Sequence, residues 1–104
     1  MDDSATYEFT ATLWRWGAAT KGSWYFVSLP EHVADEIEER FGRSAAGFGS
    51  VRVEVTVGET TWHTSIFPSN EERTYVLPVK KAVRAAESLD PDSSAGFALT
   101  VLVD

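Results

Sequence analysis

The chain contains no cysteine, and its 104 residues include two histidines and one methionine. Without cysteine there can be no disulfide framework, no thiol nucleophile and no thiolate-bound metal. The histidines, His32 and His63, form no His-x-x-x-His or Glu-x-x-His pair of the kind that binds zinc. A glycine-rich phosphate-binding motif is also missing. The sequence therefore predicts no metal and no cofactor.

Cations are scarce as well. Nine Lys and Arg against sixteen Asp and Glu give a net charge of −7, which disfavours nucleic-acid phosphates and anionic lipid surfaces as partners. No apolar run approaches the roughly 18 residues that span a bilayer. The acidic, polar start at Met1–Ser4 is the opposite of a secretory n-region. We expect a cytoplasmic protein with no membrane partner.

The order of patterns along the chain repeats once. Leu29-Pro30 precedes a helical pattern, a loop and a strand-like run from Val51. Leu77-Pro78, 48 positions later, precedes a second helical pattern, a second loop and a run from Phe97. This period and order predict two copies of one supersecondary unit. The predicted copies span about residues 7–57 and 60–103 of a single domain, 1–104.

Strand and helix patterns alternate within each half. Alternating apolar and polar residues predict strands starting near Tyr7, Trp24, Val51, Thr60, Thr74 and Phe97. Helices are predicted to open at Pro30 and Pro78, loops at 17–22 and 43–50, and a type II′ hairpin turn at Gly58-Glu59. We expect the last strand, Phe97–Val103, to be buried on both faces. The pattern favours a mainly β fold, in which two β-α-β-type repeats form a small closed pseudo-barrel capped by two short helices.

Four stretches of the chain carry a family resemblance: Phe26–Pro30, Gly49–Val53, Trp62–Pro68 and Tyr75–Arg84. With them the chain resembles the domain-of-unknown-function family numbered nineteen hundred and five. The resemblance implies a double-split β-barrel, an architecture related to the swapped-hairpin dimers of transition-state regulators and antitoxins. Some relatives continue into a bacteriocin-protection-type domain; this sequence ends at Asp104, so we expect that domain to be missing. No established activity follows from the resemblance.

A basic patch on the second helix is the first candidate site. Lys80 and Arg84 share a helical face at i and i+4, and Lys81 lies beside them. Cations in a first turn are slightly unfavourable, and an anion docked on the free N–H groups there would relieve this. The alternative is a solvated face on which Arg84 pairs with Glu87 or Ser88.

Tryptophan supplies the second candidate site. Strand parity puts Trp14 and Trp16 on the polar face of the first strand, where paired indoles can mark a binding surface. The alternative is that a helix or the other half of the barrel covers this face. Trp24 and Trp62 are predicted to belong to the core.

Catalysis is not indicated. His63 and Ser65 lie at i and i+2 on a strand, so their side chains point in parallel rather than towards each other. No Gly-x-Ser-x-Gly nucleophile elbow occurs. We therefore expect no enzyme, but a barrel domain that binds a small anionic ligand or a protein partner, as a monomer or weak dimer. The alternative is a nucleic-acid or toxin-binding regulator, which the acidity of the chain disfavours.

Overall fold

In the part of the chain that the structure describes, the protein is a closed six-stranded antiparallel barrel with two helices. The computed structural model describes residues 6–17, 24–42 and 49–102. The elements are β1 (Thr6–Trp16), β2 (Trp24–Ser28), α1 (Glu31–Phe41), β3 (Val51–Val57), β4 (Thr60–Ser69), β5 (Thr74–Pro78), α2 (Lys81–Glu87) and β6 (Ser94–Val101). The strands close in the order β1-β2-β5-β4-β3-β6. The predicted fold class is confirmed; residues 18–22 and 43–48 of the predicted loops, and Val103, lie outside the described residues.

The β3–β4 hairpin follows directly from its sequence. The four valines of β3 at odd positions are buried, because alternate side chains of a strand face the barrel interior. The turn between Val57 and Thr60 has two residues, and Gly58 has a φ of 60° while Glu59 has a negative φ. These values confirm the predicted type II′ turn.

The two halves of the chain have the same element order, β-β-α-β. The strand order of the barrel is unchanged when β1, β2 and β3 are exchanged for β4, β5 and β6. Backbone hydrogen bonds match as well: Leu29 N–H donates to Tyr75 O (3.0 Å) and Val79 N–H donates to Tyr25 O (2.9 Å). Two copies of one unit would produce this arrangement, and the internal repeat itself stays a prediction from the sequence.

The prediction that Pro78 opens the second helix is wrong. Pro78 is the last residue of β5 and pairs with Phe26 of β2, whereas α2 begins at Lys81 with Lys80 as its N-cap. Pro78 has no N–H to donate to a ladder, and the pairing of β5 with β2 ends at this residue. In α1, by contrast, Pro30 is the N-cap. The two Leu-Pro pairs therefore hold different positions in the two halves.

The core fills the barrel between the helices. Its largest fully buried side chains are Leu13, Val27, Ile37, Val53, Val55, Ile66, Leu77, Val79, Val83 and Leu99. Helix α1 adds its buried face to one end and α2 adds Val83 to the other. Burial of β6 on both faces was predicted, and this is wrong: Ala98 and Thr100 face outward and are partly exposed, because the helices lie at the barrel ends. Neither α1 nor α2, within the part of the chain described, is long and apolar enough to cross a membrane.

Candidate functional site

A cleft opens where β5 ends between β2 and β4. Beyond Pro78 the chain leaves the sheet, Val79 bonds to the backbone of Tyr25, and α2 begins. The cleft has a volume of about 410 Å³, within the range of small-molecule sites. We call it the α2 cleft. It is lined by Trp24, Tyr25, Trp62, His63, Thr64, Pro78, Val79, Lys80, Lys81 and Arg84.

The three predicted cationic residues come together in the α2 cleft. Lys80 and Lys81 are exposed at its edge. Arg84 is partly buried, and its guanidinium carbon lies 3.8 Å from the centroid of the Tyr25 ring. The Nε–H of Arg84 also donates to the carbonyl of Val79 at 3.1 Å. Stacking and hydrogen bonding therefore fix the guanidinium, while the two ammonium groups remain solvated.

The solvated-face alternative predicted that Arg84 pairs with Glu87 or Ser88, and the structure shows neither contact. The Glu87 carboxylate instead accepts hydrogen bonds from Thr60 Oγ1 (2.6 Å) and from the N–H of Glu59 (3.2 Å). Glu87 thus ties the end of α2 to the β3–β4 turn. The consequence for Arg84 is that its charge stays within the cleft, on Tyr25.

The N-terminus of α2 contributes little to anion binding. The helix has seven residues, and Lys80 makes no side-chain cap hydrogen bond. Because so short a helix has few aligned peptide dipoles, the side-chain cations are the positive groups of the cleft. The docking of an anion on free helix N–H groups therefore stays a prediction from the sequence, and the side chains of Lys80, Lys81 and Arg84 supply the positive charge of the cleft.

Two aromatic residues of the cleft were missed as site residues. Trp24 was predicted to be core, and this is wrong: 58% of it is exposed. Alternation along β2 indicates the position of Trp24: Val27 faces inward, so Trp24, three positions away, faces outward. Tyr25 faces inward and packs partly against the core. Trp62 is buried, as predicted.

The two predicted tryptophans lie on the outer face of the barrel next to Trp24. Trp16 pairs across the strands with Trp24 and is 54% exposed. Trp14 is partly covered; its indole N–H donates to Ser28 Oγ at 2.9 Å, and its ring centroid lies 5.1 Å from that of Phe26. We call Trp14, Trp16, Trp24 and Phe26 the tryptophan row. Of the predicted pair, Trp16 in particular remains accessible.

Of the two histidines, His63 contacts a carboxylate among the described residues. His63 Nε2 lies 3.3 Å from Glu54 Oε2 on the neighbouring strand, and both side chains are about half exposed. Ser65 pairs with Arg52 two positions along the ladder, so it does not approach the His63 ring. His32 is exposed on α1. Within 6–17, 24–42 and 49–102 there is no group of three or more side chains suited to hold a metal ion.

A second cleft lies at the other helix and differs in charge. We call it the α1 cleft; its volume is about 460 Å³. Asp35 and Glu38 of α1 line it together with Arg73 and with Tyr75 of β5. Burial raises the pKa of the Tyr75 phenol, and the negative charge of Glu38 raises that pKa further. With two carboxylates and one guanidinium, where the α2 cleft has three cations, this cleft favours an anion less.

Comparison with known proteins gives one finding. The model of a family described as a domain of unknown function (DUF1905) matches residues 9–99. The match includes every residue of the α2 cleft and of the tryptophan row. None of the curated proteins compared with the chain matches it. The family description states no activity, ligand or partner.

Proposed function

This chain belongs to the DUF1905 family, and we propose that it is a non-enzymatic binding domain that holds a small anionic ligand in the α2 cleft. The observation that carries the proposal is the grouping of Lys80, Lys81 and Arg84 around one cleft of small-molecule size. The protein has only nine Lys and Arg and a net charge of −7. Three of those nine cations therefore surround a single cleft.

The cations of the α2 cleft offer two complementary modes of binding. A guanidinium fixed on an aromatic ring is preorganised for a carboxylate or a phosphate, because its planar fork matches their oxygens. Arg84 is held in this way by Tyr25. Lys80 and Lys81 supply mobile point charges that can adapt to anions of different shape. A ligand with one or two acidic groups fits this set.

A binding role without catalysis is supported by the side chains near the cleft. His63 lies at its edge, and its ring nitrogen Nε2 lies 3.3 Å from the Glu54 carboxylate. An acid–base or nucleophilic mechanism requires a reactive group within hydrogen-bond reach of a base. Among the described residues, neither His63 nor Glu54 makes a side-chain hydrogen bond to a hydroxyl group that it could activate.

The test is a thermal-shift titration with inorganic phosphate, citrate and a panel of small carboxylates and phosphates. A ligand at 100 times its Kd stabilises the native state by roughly 2.7 kcal/mol, which raises the Tm of a domain this size by about ten degrees or more. We expect a hit that the double variant Lys80→Glu/Lys81→Glu abolishes. Arg15→Glu/Arg52→Glu, which changes the net charge equally at exposed positions, should retain it. Retention in the first variant, or no stabilising anion at all, would contradict the proposal.

Binding a protein partner is the second candidate function, and the exposed tryptophan row favours it. The outward positions of 12–16, 24–28 and 74–78 are uncharged. One carboxylate, that of Glu72, reaches the edge of this face and accepts a hydrogen bond from Ser28 Oγ at 2.9 Å. The partner that fits such a neutral aromatic face is a second copy of the chain, because a twofold contact places the same patch on both sides. The absence of cations on this face gives no support to the nucleic-acid alternative.

Sedimentation equilibrium tests the second candidate. We expect weak dimerisation that Trp16→Lys abolishes, since an ammonium group in an apolar contact is costly to desolvate. Thr10→Lys, at an exposed outward position farther along β1, should dimerise as the wild type does. A wild type that is monomeric at millimolar concentration would exclude self-association through the row.

A further inference from the structure

Trp24 stands where the tryptophan row meets the α2 cleft. Its indole is on the outer face of β2, beside Trp16, and it also lines the cleft that contains Lys80 and Lys81. An exposed ring and two exposed ammonium groups therefore face the same small volume. From this juxtaposition we infer that the ligand of the α2 cleft is a planar aromatic anion, whose ring stacks on Trp24. The inference rests on the proposed function and adds the chemical class of the ligand.

The Trp24 ring is held in place before any ligand arrives. It lies nearly parallel to the Phe26 ring, at 11° and with 6.5 Å between the ring centroids. Cross-strand pairing with Trp16 fixes the backbone beneath it. A ring with few degrees of freedom loses little entropy when a ligand stacks on it. More than half of the Trp24 surface nevertheless remains accessible.

The other rings of the cleft are not available for stacking. Arg84 occupies one face of Tyr25 with its guanidinium at 3.8 Å from the ring centroid. Trp62 is buried in the barrel core, with 8% of its surface exposed. Stacking of a ligand ring in the α2 cleft therefore falls to Trp24.

The charge of the cleft selects among ring-bearing ligands. An aromatic cation would be repelled by the two lysines, and a neutral ring would leave the three cations unused. An aliphatic anion would bind the cations but leave the indole face in water. A ring that carries a carboxylate or a phosphate uses both features, as aromatic platforms flanked by cations do in other sites.

Matched ligand pairs test the inference on the intact chain by calorimetry. The carboxylate pair is naphthoate against cyclohexanecarboxylate, and the phosphate pair is adenosine monophosphate against ribose phosphate. In at least one pair we expect the aromatic member to bind about tenfold tighter, a typical gain from one stacked ring. Whichever pair shows this preference identifies the acidic group.

Variants assign the preference to Trp24. Trp24→Leu should reduce the aromatic preference to about one while leaving the ring-free anion unaffected, and Trp24→Phe should restore part of the preference. Trp16→Leu is the matched control, because Trp16 is equally exposed beside Trp24 but does not line the cleft. It should bind both members as the wild type does.

The remaining outcomes separate this inference from the proposed function. Equal binding of aromatic and ring-free anions, still abolished by Lys80→Glu/Lys81→Glu, overturns the inference and leaves anion binding intact. No binding of any probe at millimolar concentration overturns both. A preference that survives Trp24→Leu, or that Trp16→Leu removes equally, overturns the assignment to Trp24.

Discussion

The α1 and α2 clefts occupy matching places in the two halves and carry opposite charge. Each borders a helix and the start of the middle strand of the other half. Each also contains a tyrosine of that strand whose carbonyl accepts a hydrogen bond from the residue two positions before the helix begins. Beside Tyr25 the helix presents cations, whereas beside Tyr75 it presents Asp35 and Glu38. The difference shows that the barrel determines where a cleft forms, and that the residues on each helix determine what the cleft can bind.

One helix position shows how the two clefts diverge. The fourth residue of α2 is Arg84, which lies on Tyr25, and the fourth residue of α1 is Ala34, which is buried against the core. A methyl group at this position closes the helix onto the barrel. A long cationic side chain instead covers the tyrosine ring with a charge that is still accessible. The same backbone arrangement thus supports a packed contact in one half and a charged one in the other.

Among the variants that test this difference between the clefts, we expect the largest change in the free energy of unfolding at Arg84. Replacing Arg84 by Ala, the residue found at the matching position, removes a stacked cation worth about 0.5–2 kcal/mol and a hydrogen bond worth about 0.5–1.5 kcal/mol. We expect Arg84→Ala to lower the free energy of unfolding in urea by about 1–2 kcal/mol. Lys81→Ala, at an exposed position, should change it by no more than about 0.5 kcal/mol.

Equal stability of the two variants would contradict the structural role of the contact between Arg84 and Tyr25. If Arg84→Ala and Lys81→Ala are equally neutral, Arg84 contributes no more to stability than a solvated lysine, and its contact with Tyr25 is incidental. Arg84→Lys separates charge from shape, because lysine keeps the charge and loses the planar group. We expect its stability to fall between those of the wild type and Arg84→Ala.

A smaller effect is expected in the α1 cleft, at Tyr75. Burial and then the charge of Glu38 raise the pKa of this phenol above its ordinary value near 10. Glu38→Gln should therefore lower the Tyr75 pKa partway, since the larger cause, burial, remains. Ultraviolet titration of the phenolate, with Tyr75→Phe used to assign the signal, measures the shift. An unchanged pKa would show that Glu38 has no electrostatic influence on this cleft.

The sign of the pH dependence follows from the same phenol. Because its pKa is higher in the folded state, the unfolded chain releases the Tyr75 proton first as pH rises. The stabilisation linked to this group is fully present below about pH 10 and is lost as pH rises through the folded pKa. The pKa of Tyr7, raised chiefly by burial, acts in the same direction. Glu38→Gln should bring the folded-state pKa of Tyr75 closer to its unfolded-state value, and so narrow the pH range over which this stabilisation is lost.

Much of the fold was predictable because it depends on local pattern. Alternation along Val51–Val57, the Gly58-Glu59 turn and the apolar stripe of α1 each correspond to an element of the structure. The cationic cluster was also predictable, because residues three and four apart on a helix are neighbours. Each of these features involves residues that are close in the chain.

The errors concern features that depend on distant parts of the chain. Trp24 was predicted to be core, although it lies opposite Trp16 on the outer face of the barrel and is exposed. Pro78 was assigned to a helix by analogy with Pro30, although its pairing with Phe26 keeps it in β5. The partner of Arg84 was sought along its own helix, whereas its ring partner, Tyr25, lies in the other half of the chain.

The sequence by itself determined the barrel class, the two helices and the sign of the charge on each, because periodicity, turn residues and side-chain charge are local properties. Only the tertiary structure decided that the cations of α2 meet Trp24 and Tyr25 in one cleft, and that Trp16 and Trp24 stand side by side. The reason is that antiparallel closure brings β2 next to β5, across about 50 residues of chain whose register no local pattern specifies.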